Sequence, residues 1–407
     1  MPPAIRIIGS LNVDMVSVTP RFPHPGETLK STSFSTHAGG KGANQAVACG
    51  RLSRPKPTTT TTPSTPIPID PTHIHVEMLG ATGLLDTHFP TLLQPTLHTS
   101  GVHTSRIRQI PNTHTGVAVI IVDSSAGGEN RILYSPGANY AGMQMEDTDR
   151  DTDTPAVLSL SLSAPMPDVL VLQAEIPIET VIGILRGVCV WKEAQRRIEG
   201  KAGIEADVEV VFNPAPAPEG GLPDDVYAAV DHLVMNETEC EIMAPAGLEG
   251  EGEGEGEGET AATSPGRRDR IARHFHALGV RHVLVTLGAK GVWYSAGDAG
   301  RELQEQQGDG DGGWVRYVGE VPAAKVERVV DTTAAGDTFV GGYSVQIARW
   351  REARRAAGRG GEELTVEERR ERYGTFMERA VEWATRASAR CVERSGAMDS
   401  IPWEDEV

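Results

Sequence analysis

The feature that most constrains this chain is a repeating order in its second half. A short apolar run ends at a polar or small residue, and a helical pattern follows. Val169 to Leu172 precedes a helical stretch over 178–200, and Val208 to Phe212 ends at Asn213-Pro214. His232 to Met235 ends at Asn236, and a helical stretch over 266–278 leads into His282 to Thr286, which ends at Leu287-Gly288. Strands that alternate with helices build an α/β fold, a parallel sheet with helices on both faces. In such sheets ligands bind beyond the carboxyl ends of the strands. The first half supplies further strands. Ala4 to Ile8 ends at Gly9-Ser10 and is expected to deliver Asn12 and Asp14 to a strand end, and Ile74 to Leu79 ends at Gly80. Asn12, Asp14, Glu175, Asn213, Asn236 and Thr286 are thus expected along one edge of the sheet.

Other segments do not fit this alternation. GVAVIIV at 116–122 is a strong strand, with NRILY at 130–134 its hairpin partner across Gly127-Gly128, and the polar residues 17–37 suit a loop with exposed strands. Three stretches have no apolar period and are expected to be disordered inserts: a Thr/Pro-rich one at 54–72, a Glu/Gly-rich one at 249–262 and a charged one at 354–365. A further polar insert covers 302–313. These inserts account for an apolar content of only 39% in 407 residues. Helical patterns return from Ala335 onward and over 371–394.

The net charge of -18 excludes the broad basic surface that nucleic acid requires, and argues against an anionic membrane surface as partner. It does not exclude a phosphate bound at a helix N-terminus. The four cysteines, Cys49, Cys189, Cys240 and Cys391, form no CxxC pair or zinc spacing and read as free thiols of a reducing compartment. His73-x-His75 reads as structural or surface rather than metal-binding. No run approaches the ~18 apolar residues of a membrane span, and the N-terminus lacks the pattern of a signal peptide. The expected location is the cytoplasm, with the nucleus as a second compartment.

The chemistry concentrates in Asp331-Thr332-Thr333-Ala334-Ala335-Gly336-Asp337. Three small residues before a helix expose successive backbone N–H groups, and these with the helix dipole form an anion site. Asp337 in the first turn could accept a proton from a hydroxyl attacking a phosphoryl group, or it could simply cap the helix. Three further segments are candidates. Thr286-Leu287-Gly288-Ala289-Lys290-Gly291 could approach nucleotide phosphates or be an ordinary turn. Gly39-Gly40-Lys41-Gly42-Ala43-Asn44 pairs a permissive backbone with a cation and an amide, and its spacing is not that of a Walker A loop. Asn236-Glu237-Thr238-Glu239 could be a helix N-cap or a pair facing nucleotide and metal.

GGKGANQAVACG at 39–50 and DTTAAGDTF at 331–339 resemble the two signatures of the PfkB-type carbohydrate kinase family, in particular its ribokinase group. TGVAVIIV, NPAPAP, NETECE and TLGAKGVW stand between them in the expected order. The resemblance covers nearly the whole chain outside the inserts. It implies a ribokinase-like three-layer sandwich: a central, mostly parallel sheet in a single domain, with a small β-sheet lid from segments about 15–38 and 100–135. It implies transfer of a phosphoryl group from Mg-ATP to the O5 hydroxyl of D-ribose, with Asp337 as the catalytic base and Ala334, Ala335 and Gly336 as the anion hole.

By the same resemblance Asn12, Asp14, Gly40, Lys41, Asn44, Glu175 and Asp337 hold the sugar. Asn236, Thr286, Leu287, Gly288, Ala289, Lys290, Gly291, Gly336, Asp337 and Thr385 meet the nucleotide, and Glu239 is linked indirectly to Mg²⁺. Asp331, Thr333, Cys391, Arg394, Gly396 and Ser400 match a K⁺ site formed mostly by backbone carbonyls, and the lid is expected to pair two copies into a homodimer. The segment 82–90 departs from the family pattern, which is richer in Asp and Gly after Thr82-Gly83. The alternatives are a kinase of this family for another sugar or a nucleoside, and a non-catalytic sugar or nucleotide sensor.

Overall fold

The computed structural model describes residues 2–58, 73–125, 129–145, 157–198, 201–245, 264–298 and 315–407. The Thr/Pro-rich stretch beyond Thr58, the Glu/Gly tract at 249–262, the polar stretch 302–313 and the Gly127-Gly128 turn lie outside these residues.

Among the described residues, thirteen strands form two sheets. The strands are β1 (Ala4–Ile8), β2 (Asn12–Thr19), β3 (Ser33–Gly39), β4 (His75–Gly83), β5 (Val102–Ile110), β6 (Gly116–Asp123), β7 (Glu129–Ser135), β8 (Val169–Gln173), β9 (Glu209–Asn213), β10 (His232–Asn236), β11 (His282–Thr286), β12 (Val292–Gly297) and β13 (Arg316–Val321). The larger sheet has nine strands in the order β13-β12-β11-β10-β9-β8-β1-β4-β5. All neighbours pair parallel except β11–β12 and β12–β13. The strand order reverses at β1, which lies between β4 and β8, so the crevice beyond β1 and β8 is the topological switch point.

Ten α-helices accompany the sheets among the described residues: α1 (Lys41–Leu52), α2 (Gln94–Thr99), α3 (Ala138–Ala141), α4 (Val157–Ser161), α5 (Ile178–Arg196), α6 (Glu237–Ile242), α7 (Pro265–Ala277), α8 (Ala335–Ala356), α9 (Val366–Glu371) and α10 (Met377–Val392). The apolar strands bury both faces, because alternate residues serve opposite layers. Ile5, Ile7, Val76, Met78, Val169 and Val171 pack with α1, α8 and α10. Ile8, Leu79, Leu170, Leu172, Val210 and Phe212 pack with α5 and α7. This is a three-layer sandwich.

The smaller sheet, in the order β3-β2-β6-β7, is a separate lid. Two features differ from the sequence expectation. The lid begins at Asn12, so Asn12 and Asp14 lie on its first strand rather than at the end of β1. Residues 102–110, counted above with the lid, form the edge strand β5 of the large sheet by pairing with β4. The lid's second contribution is β6 and β7.

The charged segment 354–365 is not disordered. It continues α8 to Ala356 and turns into α9, and its arginines are paired. Arg354 bonds Glu368 at 2.6 Å, and Arg355 bonds Asp168 and Glu205. Charge density in sequence suggested solvation, but here it supplies ion pairs that close the end of the sheet opposite the site. His75 stacks on His103 with ring centroids 4.3 Å apart. All four cysteines are free, and no helix among the described residues is long and apolar enough to cross a membrane.

Candidate active site

Asp337 sits in the first turn of α8, buried at 8% exposure. The extended chain before it turns into the helix through Ala334, a non-glycine residue at φ 60° in the left-handed region. The amides of the first helical turn have no partner within the helix and point toward whatever lies beyond it. A Cβ built on Gly336 meets nothing within 4 Å, so the approach to this turn is open. The Asp337 carboxylate is fixed from the neighbouring helix α1. Asn44 Nδ2 donates to Oδ2 at 2.9 Å, and Gln45 Nε2 donates to Oδ1 at 2.9 Å. The helices can cross this closely because Gly341 faces Ala48 and the amide of Cys49.

The residues expected to hold the sugar gather where the lid meets α1. Gly40 caps α1 at φ 92°, and a Cβ there would stand 2.7 Å from the amide of Asn12. A Cβ on Gly39 would overlap the Asp14 carboxylate, so glycine lets that side chain lie against backbone. Glu175, just beyond β8, accepts from Ser10 Oγ at 2.6 Å and from the Lys41 amide at 3.0 Å. Asn12 Oδ1 accepts from Asn139 Nδ2 at 2.7 Å, which turns its own amide nitrogen toward Glu175 at 3.5 Å. Burial pushes the Asp14 carboxyl up to about 6, and Glu175 and Asp337 add to that while His37 opposes it. Burial works against the Lys41 ammonium, but Asp337, Glu175 and Glu239 outweigh it and hold its pKa above the ordinary lysine value.

Beyond Asp337 opens a cavity of about 210 Å³, lined by Lys41, Asn213, Asn236, Glu239, Thr286, Thr332, Ala334, Ala335, Gly336 and Asp337, among others. The capping alternative for Asn236 and Glu239 is realised. Asn236 Oδ1 accepts from the Glu239 amide at 2.8 Å, and Glu239 Oε2 accepts from the Asn236 amide at 2.9 Å. The same pair also lines the cavity, so capping does not withdraw it from that space. Burial pushes the Glu239 carboxyl up, against the hydrogen bond from Asn236 and the charge of Lys41. Leu287 to Gly291 make a tight turn closed by Leu287 N to Gly291 O at 2.8 Å, with Gly288 at φ 54° and Gly291 at φ 102°. Of this segment only Thr286 lines the cavity. Thr385 is also absent from the lining: it lies on α10, and its hydroxyl donates to Val381 O at 2.8 Å.

The six residues matched to a cation site do come together beside the turn at Ala334. Asp331 Oδ1 accepts from Thr333 N and Oγ1, and Oδ2 accepts from Gly396 N at 3.0 Å. Cys391 Sγ lies 3.6 Å from Thr333 O and 3.1 Å from Ser400 Oγ. The Arg394 amide donates to Cys391 O, and its guanidinium turns away to Glu406. Burial opposes the Asp331 charge, but Thr333 and Gly396 hold its pKa below the ordinary value, so the carboxylate stays ionised. A carboxylate among backbone carbonyls is the hard-oxygen donor set that alkali and alkaline-earth cations take. Among the described residues no group of three or more His, Cys, Asp or Glu side chains could hold a metal ion.

Sequence reasoning missed Gln45, Gln173 and Asn139. Gln45 lies inside GGKGANQA, next to Asn44, so its place in a signature was the available signal. Asn139 carried none, because its role depends on Leu11 and Asn12, more than 120 positions away.

The pfkB family carbohydrate kinase profile matches residues 3–177 and 200–404. A ribokinase from Schizosaccharomyces pombe is 33% identical, with 98% of this chain and 94% of that protein covered. A deoxyribokinase from Salmonella typhi is 30% identical over 84% of each chain. The structure of Arabidopsis thaliana ribokinase complexed with ribose and ATP superposes with a TM-score of 0.66 at 24% identity, covering 100% of this chain and 97% of that one. With a family profile spanning nearly its whole length and a relative matched end to end, this chain belongs to the pfkB family of carbohydrate kinases.

Proposed function

We propose that this protein transfers the γ-phosphoryl group of ATP to the O5 hydroxyl of D-ribose, giving D-ribose 5-phosphate and ADP, with Asp337 as general base. The observation that carries this reading is the double anchoring of Asp337. Its carboxylate is held by Asn44 and Gln45 of the sugar-side helix and lines the same cavity as Ala335 and Gly336. A carboxylate has about four acceptor positions, and two are used here. The others can take the proton of a primary hydroxyl as it attacks. Asn12, Asp14, Lys41, Asn44 and Glu175 offer donors and acceptors suited to a polyol, and a site built on such contacts rejects analogues that lack a hydroxyl. The Lys41 ammonium, placed among three carboxylates, and the open amides of 334–336 would meet the charge on the transferring group. Most of the work is positioning and electrostatics, as phosphoryl transfer requires.

Glu239, which lines the cavity, would be the carboxylate near the Mg²⁺ carried with ATP, and that ion would supply positive charge to the phosphates. K⁺ would be held by Asp331, Thr333, Cys391, Arg394, Gly396 and Ser400, ordering the turn that carries the anion hole. The nucleotide would lie over Asn236, the 286–291 turn and α10 near Thr385. We also assign a homodimer joined through the lid, and a cytoplasmic location with the nucleus as a second compartment.

The test is ADP formation from Mg-ATP with ribose, 2-deoxyribose and a nucleoside panel, with and without K⁺. Asp337→Asn should lower kcat by about 10³-fold or more while ribose binding stays within a few-fold. Near-normal turnover in that variant sinks the base assignment. The deoxyribokinase relative keeps a second reading open, and faster turnover of 2-deoxyribose than ribose would select it. Nucleotide binding without ADP from any acceptor would make the protein a sensor.

A further inference from the structure

We infer that Gln45, Gln173 and Asn213 form a directional amide relay that positions Asp337 and ties it to Glu239 on the phosphoryl side. This rests on the reading of Asp337 as the base. The direction follows from hydrogen-bond chemistry. An ionised carboxylate only accepts, so Gln45 must present its NH₂ group to Asp337 Oδ1, 2.9 Å away. The same NH₂ reaches Asn213 Oδ1 at 3.1 Å. Gln45 Oε1 therefore faces the other way and needs a donor, which Gln173 Nε2 supplies at 2.6 Å. Asn213, its oxygen committed to Gln45, turns its own NH₂ to Val234 O at 2.9 Å and to Glu239 Oε2 at 3.3 Å. Each amide fixes the orientation of the next, and both outputs end on carboxylates.

The relay joins five elements, α1, β8, β9, α8 and α6, and bridges the layers of the sandwich. Gln45 and Gln173 are fully buried, so water cannot replace a lost donor. Gly9 makes room for it: a Cβ there would overlap Gln173 Oε1. With Asn44 on one carboxylate oxygen and Gln45 on the other, Asp337 cannot rotate away from the attacking hydroxyl. Asn44 belongs to the sugar site, whereas Gln45 and Gln173 act through Asp337 and are positioning residues.

The experiment is a double-mutant cycle of Gln45→Met and Gln173→Met, read as kcat, KM for ribose and thermal midpoint. Gln45→Met should lower kcat roughly 10²-fold and Gln173→Met roughly 10-fold, with KM for ribose nearly unchanged. The double variant should be no slower than Gln45→Met alone, because Gln173 acts only through Gln45. Losses that multiply, or that fall on KM instead of kcat, overturn the relay. If Gln45→Met does not fold, Gln45→Asn, which keeps the amide but shortens its reach, takes its place in the cycle. Asp337→Asn is run alongside. Retained turnover there would sink the base assignment, whereas an inactive Asp337→Asn beside a multiplicative cycle sinks only the relay.

Discussion

Asp14 shows what the site costs the fold. Its carboxyl is pushed up from 3.8 to about 6, first by burial and then by the charge of Glu175. A carboxyl whose folded pKa exceeds its unfolded value binds more protons in the folded state between those two values. Its contribution to stability therefore falls as pH rises from about 4 to about 6, and at neutral pH the buried charge is a net cost. Asp14→Asn should raise stability at pH 7 by on the order of 1–2 kcal/mol, a gain that vanishes below about pH 4, while ribose affinity drops. Denaturant unfolding at the two pH values, beside ribose titration, checks both halves. In the wild type kcat/KM for ribose should fall as pH drops through about 6, and that limb should be absent in Asp14→Asn. Lys41 and Asn44 could be found in the sequence because they sit in a signature, and Asp14 because it follows the first apolar run. Asn139 and Gln173 could not, because what they do is orient amides that arrive from other elements, and only the assembled fold defines those orientations.

At the scale of elements, the crossing of α1 and α8 brings the Asn44 and Gln45 amides to Asp337, and two glycines of α8 play opposite parts in it. Gly341 faces Ala48 across the crossing, and a Cβ would overlap that side chain. Gly341→Val should cost about 1–3 kcal/mol of stability and lower kcat as Asp337 draws away from Asn44 and Gln45. Gly336 faces open space and sits at a helical position, so Gly336→Ala should keep or raise stability by about 0.4–1 kcal/mol. If 334–336 form the proposed anion hole, the added methyl would nevertheless stand in the way of the phosphoryl group, and kcat should drop. Unfolding curves and kcat on the two variants test whether stability and turnover separate in this way; a parallel fall in both for Gly336→Ala would remove Gly336 from the anion hole. The start of α8 was legible from small residues before an amphipathic pattern, and the strands β8 to β11 from their apolar runs. Strand β5 was not, because VHTSRIRQI alternates like an exposed strand and only its pairing with β4 assigns it to the large sheet. The charged end of α8 was misjudged for a related reason: Asp168 and Glu205, the partners of Arg355, lie far away in sequence.

At the scale of the molecule, the lid is one of the places where this fold leaves large apolar side chains uncovered. Phe34 is 65% exposed, Ile132 56% and Leu133 66%, all in a four-stranded sheet whose edge strand β7 is open to solvent throughout. Ile132 and Leu133 are consecutive on the open edge strand and so point to opposite faces, and apolar side chains left on such an edge suit an interface. The lid also carries Asn12 and Asp14, and Tyr134 of β7 donates to Glu175 O at 3.4 Å, so a cover on the lid would also steady the residues proposed to hold the sugar. A second copy of the same sheet, related by a two-fold axis, would cover both lids with one self-complementary surface. Ile132→Lys combined with Leu133→Lys should then convert a dimer to a monomer in light scattering, while the thermal midpoint, set by the three-layer core, changes little. KM for ribose should rise with dissociation, because an uncovered lid holds Asn12 and Asp14 less firmly, and kcat at saturating ribose should change much less, because Asp337 is anchored by α1 and not by the lid. A wild type that is monomeric at working concentration, or a monomeric variant with an unchanged KM, would separate the lid's surface from its grip on the sugar.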